Sequence, residues 1–198
     1  MYEEIRELAH KYGGRVVEWR RRIHRQPELS RQEERTSALA AEVLSGLGLE
    51  VRSQVGGHGV VGLLRGGGGD GRTVALRADM DALPMCEETG LPYASEVDGV
   101  MHACGHDTHT AMLLGAACVL SELRDGLRGN VKFIFQPAEE LNPTGGAPGM
   151  IADGVLEDPH VDALFALHVW PGYETGRIVA RAGPQITKIG RASCRERV

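Results

Sequence analysis

At 198 residues with 42% hydrophobic content, the chain can bury one sizeable core and reads as a single globular domain. Its formal net charge of −5 leaves no basic footprint, which argues against nucleic acid or an anionic membrane surface as a partner. The opening MYEEIRELAHKYGG carries acid where a secretory leader needs a basic patch, and no apolar run reaches bilayer-spanning length.

Residues 2–26 place Ile5, Leu8, Val16, Trp19 and Ile23 at helical spacing, with an interruption or bend expected at Gly13-Gly14 and a stop at Pro27. A second helix is predicted over 33–47, with Leu39, Val43, Leu44 and Leu47 on one face and Gly46 and Gly48 ending it. The rhythm then changes to short β-rich runs at 49–55, 59–65 and 73–78, separated by glycine clusters, which predicts strands and a hairpin. The stretch RGGGGDGR (65–72) lacks the Lys-Ser/Thr of a phosphate loop and precedes no helix. It is assigned as a flexible hairpin turn.

Residues 107–123 form the clearest helix, with Asp107 near its start and Met112, Leu113, Ala116, Ala117 and Leu120 as its apolar stripe. The run VKFIFQ (131–136) reads as a strand buried on both faces, 146–153 as a short helix, and VDALFALHV (161–169) as another buried strand. This alternation predicts an α/β fold, a mostly parallel central sheet flanked by helices, with ligands gathering at the carboxyl ends of the strands. Asp79 and Asp81, Glu139 and Glu140, and His168 all fall at such ends.

The segment MHACGHDTH (101–109) holds a cysteine and three histidines immediately before a helix. Cys104 and His106 are two apart, so in extended or loop backbone they point to the same side, and Gly105 lets the chain bend close to an ion. Thiolate with imidazole suits zinc or another borderline transition metal better than magnesium or calcium. Glu139 and Glu140 follow the apolar VKFIFQP, where solvent is not the default. Adjacent carboxylates there can divide the work, one binding metal and the other acting as a base on water. The other cysteines, Cys86, Cys118 and Cys194, show no disulfide-scaffold spacing, which points to a reducing, cytoplasmic compartment. Cys86 and Cys118 are assigned to packing.

Four motifs in order, RADMDALP (77–84), MHACGHDTHTA (101–111), FQPAEE (135–140) and ALHVWPG (166–172), resemble the metal-dependent amidohydrolase family of hippurate hydrolases. That family also takes in indole-acetyl-amino-acid hydrolases and N-acyl-amino-acid deacylases, relatives of metallo-aminopeptidases and carboxypeptidases. IHRQPELS (23–30) is similar to the family's early segment. The resemblance implies metal ligands at Cys104, His106, Glu140 and His168, a catalytic general base at Glu139, and a supporting carboxylate at Asp79 that helps orient a ligating histidine. It further implies divalent metal ions, two per complete site and zinc or manganese in kind, and an N-acyl amino acid as the small-molecule substrate. The family's catalytic α/β domain is interrupted by a lid or dimerisation domain and carries a further metal-binding histidine far downstream. Both lie past this chain, so a homo-oligomer is an expectation for the longer protein only.

Residues 188–198 (KIGRASCRERV) have no hydrophobic period, and they back-translate to a string resembling a sequencing adapter. They are read as a non-native tail after an N-terminal catalytic portion at 1–187. Two rival readings stand beside the amidohydrolase: a metallo-dipeptidase or carboxypeptidase with the same metal chemistry, and a metal-binding fragment left inactive by truncation.

Overall fold

Helix α1 (Tyr2–Arg25) runs unbroken through Gly13 and Gly14, so the expected bend is absent. Each glycine costs roughly 1 kcal/mol in a helix interior, but packing along α3 (His106–Glu122) holds α1 straight. The approach is close enough that a Cβ on Gly115 would lie 2.6 Å from Val16. Helix α2 (Glu34–Gly46) ends where expected, with Gly48 in the left-handed region at φ +71°. The computed structural model describes residues 2–180 apart from 142 and 144, so the expectation for the tail at 188–198 lies outside the described residues.

The sheet has the order β1-β2-β4-β3-β5, where β1 is Glu50–Val55, β2 Gly59–Arg65, β3 Thr73–Asp79, β4 Asn130–Gln136 and β5 Ala163–Ala166. It is mixed. β1 and β2 pair antiparallel as a hairpin, β2 joins β4 antiparallel, and β3 lies parallel to both β4 and β5. Side chains alternate across it as the pleat requires. Val60, Leu64, Ala78, Phe133 and Phe135 join Trp19, Ile23, Leu39, Leu44, Leu114 and Cys118 in the larger core beneath α1, α2 and α3. Val61, Ala75 and Ile134 face the other way, against Met150 of the short helix α4 (Gly146–Ala152) and Val155. No helix among the described residues is long and apolar enough to cross a membrane.

Three further sequence expectations need correction. The glycine-rich stretch is not a hairpin turn, because β4 lies between β2 and β3. It is a crossover tied down by backbone bonds from Gly66, Gly67 and Gly68 to the carbonyls of Gly129, Arg124 and Leu127. Its glycines serve close approach, since a Cβ on Gly66 would run into the Leu127 carbonyl. The strand expected over 161–169 is four residues long, pairs among the described residues only with β3, and is exposed, with Leu164 at 48% and Phe165 at 61%. Its apolar character marks a sheet edge that no described element covers, not a buried strand. Cys86 is likewise exposed, whereas Cys118 is buried in the core as assigned.

Candidate functional site

The parallel strands β3, β4 and β5 end on the same side of the sheet, and the chain leaving each of them carries polar residues to the start of α3. Gly105 is the hinge of that start. It sits before the helix at φ +83°, and a Cβ there would run into Val169 beyond β5. Asp107 does not cap the helix. Its buried carboxylate instead forms an ion pair with Arg20 Nε at 2.7 Å and a hydrogen bond with His24 Nδ1 at 2.8 Å, which locks the first turn of α3 to α1.

His106 is the centre of the cluster, fully buried at 0% exposure. Its Nδ1 faces Asp81 Oδ1 at 3.2 Å. Its Nε2 faces Asp79 Oδ1 at 3.6 Å, Glu140 Oε1 at 3.8 Å and Glu139 Oε2 at 3.9 Å. The donor atoms of Cys104, His106 and His168 lie within 4.8 Å of one another, and so do those of His106, Glu139 and Glu140. All five residues singled out as ligands or base therefore come together around one imidazole, drawn from the α3 start, the β4 exit and the β5 exit. His168 donates from Nδ1 to the Val169 carbonyl at 2.6 Å, which leaves Nε2 toward Cys104 Sγ at 3.5 Å.

Electrostatics register the crowding. Burial alone would keep His106 neutral, but the Asp81 bond, the Cys104 sulfur and the charges of Asp79 and Asp81 outweigh it and push its pKa up to about 10. The His106 and His168 imidazoles beside it draw the Cys104 thiol down to about 6, against the smaller opposing effect of burial. Burial would raise Asp79 too, yet the bond from His109 and the nearby charges of His106 and Arg77 hold it well below the ordinary carboxylate range.

Asp79 stands elsewhere than in the simplest supporting role. Its bonds go to His109 Nδ1 at 2.6 Å and Arg77 Nη1 at 2.9 Å, whereas the bond to His106 Nδ1 is made by Asp81. Asp81 also accepts from Ser30 Oγ at 2.6 Å and from the Glu140 backbone N–H at 2.9 Å, so it ties three segments together. Sequence reasoning placed Asp81 at the strand end but gave it no task. The signal available was the spacing of two acids in RADMD, which puts both on one side of the chain as it leaves β3. His109 was missed as well. Its Nε2 accepts from the Val169 backbone N–H at 2.9 Å, so both ring nitrogens are engaged in holding the β5 exit against Asp79.

Comparisons with known proteins point to one family. Residues 75–193 match the model of the peptidase family M20/M25/M40. The chain is 48% identical to thermostable carboxypeptidase 1 of Saccharolobus solfataricus, over 93% of this chain and 46% of the relative. It is 47% identical to the N-acyl-L-amino acid amidohydrolase of Geobacillus stearothermophilus, over 93% of this chain and 49% of the relative. A Bacillus subtilis crystal structure described as a dinuclear metal binding peptidase of the M20 family superposes with a TM-score of 0.76 at 43% identity, covering 82% of this chain and 45% of that one. The chain thus spans about half the length of the curated relatives it matches. With the family model covering more than half of its residues, and with thiol, imidazoles and paired carboxylates converging at the strand ends, the chain belongs to the peptidase family M20/M25/M40.

Proposed function

We propose that the complete protein is a metal-dependent amidohydrolase that cleaves the amide bond of N-acyl amino acids, releasing a carboxylic acid and an amino acid. The observation that carries this reading is the convergence on buried His106 of Cys104, His168, Glu139 and Glu140. The donor set fits a divalent cation: a thiol already drawn toward thiolate, imidazole nitrogens and carboxylates suit zinc or manganese. The buried Nε2 of His106 makes no hydrogen bond among the described residues and faces three carboxylates, as a ligand nitrogen would. Cys104, His106, Glu140 and His168 would hold the ion. The relative described as dinuclear supports two ions in the complete site. When bound, a divalent cation supplies Lewis acidity toward an acyl carbonyl and toward water.

The chain's own residues do the rest. Glu139 is the more open of the pair, its side chain 24% exposed against 7% for Glu140, which suits a base that must meet water and substrate. Glu139 takes a proton from the attacking water as the new C–O bond forms, then delivers it to the departing amino nitrogen as the C–N bond breaks. Asp81 orients His106 through Nδ1 and steadies the Glu140 backbone. A carboxypeptidase reading shares all of this chemistry and is favoured by the identity to the carboxypeptidase of Saccharolobus solfataricus. Cysteine usage supports the cytoplasm as the compartment.

The site is tested at Cys104. In the complete protein treated with a chelator, iodoacetamide modifies Cys104, and added zinc or manganese slows that modification at least tenfold while leaving exposed Cys86 unaffected. Equal rates at Cys104 with and without metal would remove it from the ligand set.

A further inference from the structure

The acidic pair leaves β4 through Gln136-Pro137-Ala138, and Ala138 is where the chain turns. Ala138 is 2% exposed and adopts φ +52°, a left-handed conformation in a residue that is not glycine. Such a conformation persists where the surroundings over-determine it. Both of its backbone polar groups are bound. Its carbonyl accepts from Gly146 N at 3.1 Å, and its N–H donates to Glu33 Oε1 at 2.6 Å.

Glu33 comes from the other end of the sequence, 105 residues away, just before α2. Its side chain is completely buried. Burial pushes its carboxyl above the ordinary value, opposed by the backbone amides of Ala138, Glu33 and Arg31. An acid in so dry a place is costly unless its bonds repay the lost hydration. Three residues earlier, Ser30 Oγ donates to Asp81, which in turn holds the Glu140 N–H. The PELSRQEE segment (27–34) therefore touches the acidic pair from behind at two points, one through Asp81 and one through Ala138.

We infer that Glu33 is a positioning residue for the hydrolytic reaction: by accepting the Ala138 N–H it fixes the left-handed turn that aims Glu139 toward His106. The inference rests on the reading of Glu139 as the base. Glu140 has its own anchor at Asp81, so the loss of Glu33 falls mainly on the base and less on the metal. Glu33 lies behind the backbone turn and contributes no atom to the cluster around His106.

The test compares two substitutions of similar size in the complete metal-loaded enzyme. Glu33→Gln keeps an oxygen that can accept the Ala138 N–H. Glu33→Met fills the same space and cannot. The expected result is a kcat for Glu33→Met lower on the order of 10- to 100-fold, as a misaimed group gives. KM and metal content should stay within about threefold of wild type, and Glu33→Gln should return kcat to within about threefold. Amide hydrogen exchange gives a second readout that needs no substrate. The Ala138 N–H should be protected in the wild type and in Glu33→Gln, and should exchange at least tenfold faster in Glu33→Met. Equal kcat for the two variants, or an unprotected Ala138 N–H in the wild type, overturns the inference. A wild-type protein with a protected Ala138 N–H but no hydrolysis of any N-acyl amino acid would overturn the proposed substrate class instead, so the two failures are distinct.

Discussion

Glu139→Gln in the complete protein is expected to keep its metal while turnover falls about 10²–10⁴-fold, the usual effect of removing a general base. Glu140→Gln is expected to lose metal, with activity falling as a consequence. The two side chains are equally near His106, at 3.9 Å and 3.8 Å, so distance does not divide their roles. Surroundings do. Glu140 is the more buried, and its backbone is pinned to Asp81, which suits a ligand that must not move. Glu139 keeps a face toward solvent, which suits proton exchange. Metal analysis beside steady-state kinetics on both variants decides between them. Metal loss in Glu139→Gln with retention in Glu140→Gln would reverse the assignment.

Asp81→Ala carries the second large effect. It removes one carboxylate from three partners at once: His106 Nδ1, Ser30 Oγ and the Glu140 N–H. Residues that orient a ligating imidazole typically account for about 10–100-fold in metal affinity. Titration against a competing chelator should therefore show a weakening of about 10–100-fold in Asp81→Ala. Ser30→Ala, which leaves Asp81 two of its partners, should change affinity by less than about threefold, since one neutral hydrogen bond contributes only about 1 kcal/mol net. Unchanged affinity in Asp81→Ala would mean that the His106 ring is held by something other than this bond.

Much of the site could be read in the sequence because its residues lie in short runs at strand ends. Cys104 and His106 sit two apart around a glycine, and Glu139 and Glu140 follow an apolar strand; in both cases local spacing carries the information. The partners behind them could not be read that way. Asp81 meets His106 across 25 residues, His109 meets Val169 across 60, and Glu33 meets Ala138 across 105, so only the folded chain brings them together. The same limit explains the errors in the fold. RGGGGDGR has the composition of a turn, and nothing local reveals that β4 inserts between the strands it connects. The apolar run ending at His168 has the composition of a buried strand, and nothing local reveals that, among the described residues, β5 lies at the sheet edge with β3 as its one partner. Gly13 and Gly14 failed as helix breakers because long-range packing on α3 outweighed a small local preference.

The central claim is that the cluster around His106 is a metal-dependent amide-hydrolysing centre, and one measurement meets it directly. The complete protein is stripped with a chelator, its metal content is determined, and hydrolysis of an N-acyl amino acid is followed before stripping, after stripping, and after addition of zinc or manganese. The account predicts activity that disappears with the metal and returns as one or the other ion is restored. Undiminished hydrolysis by protein from which the metal has been removed, or no hydrolysis of any N-acyl amino acid by fully loaded protein, would contradict it.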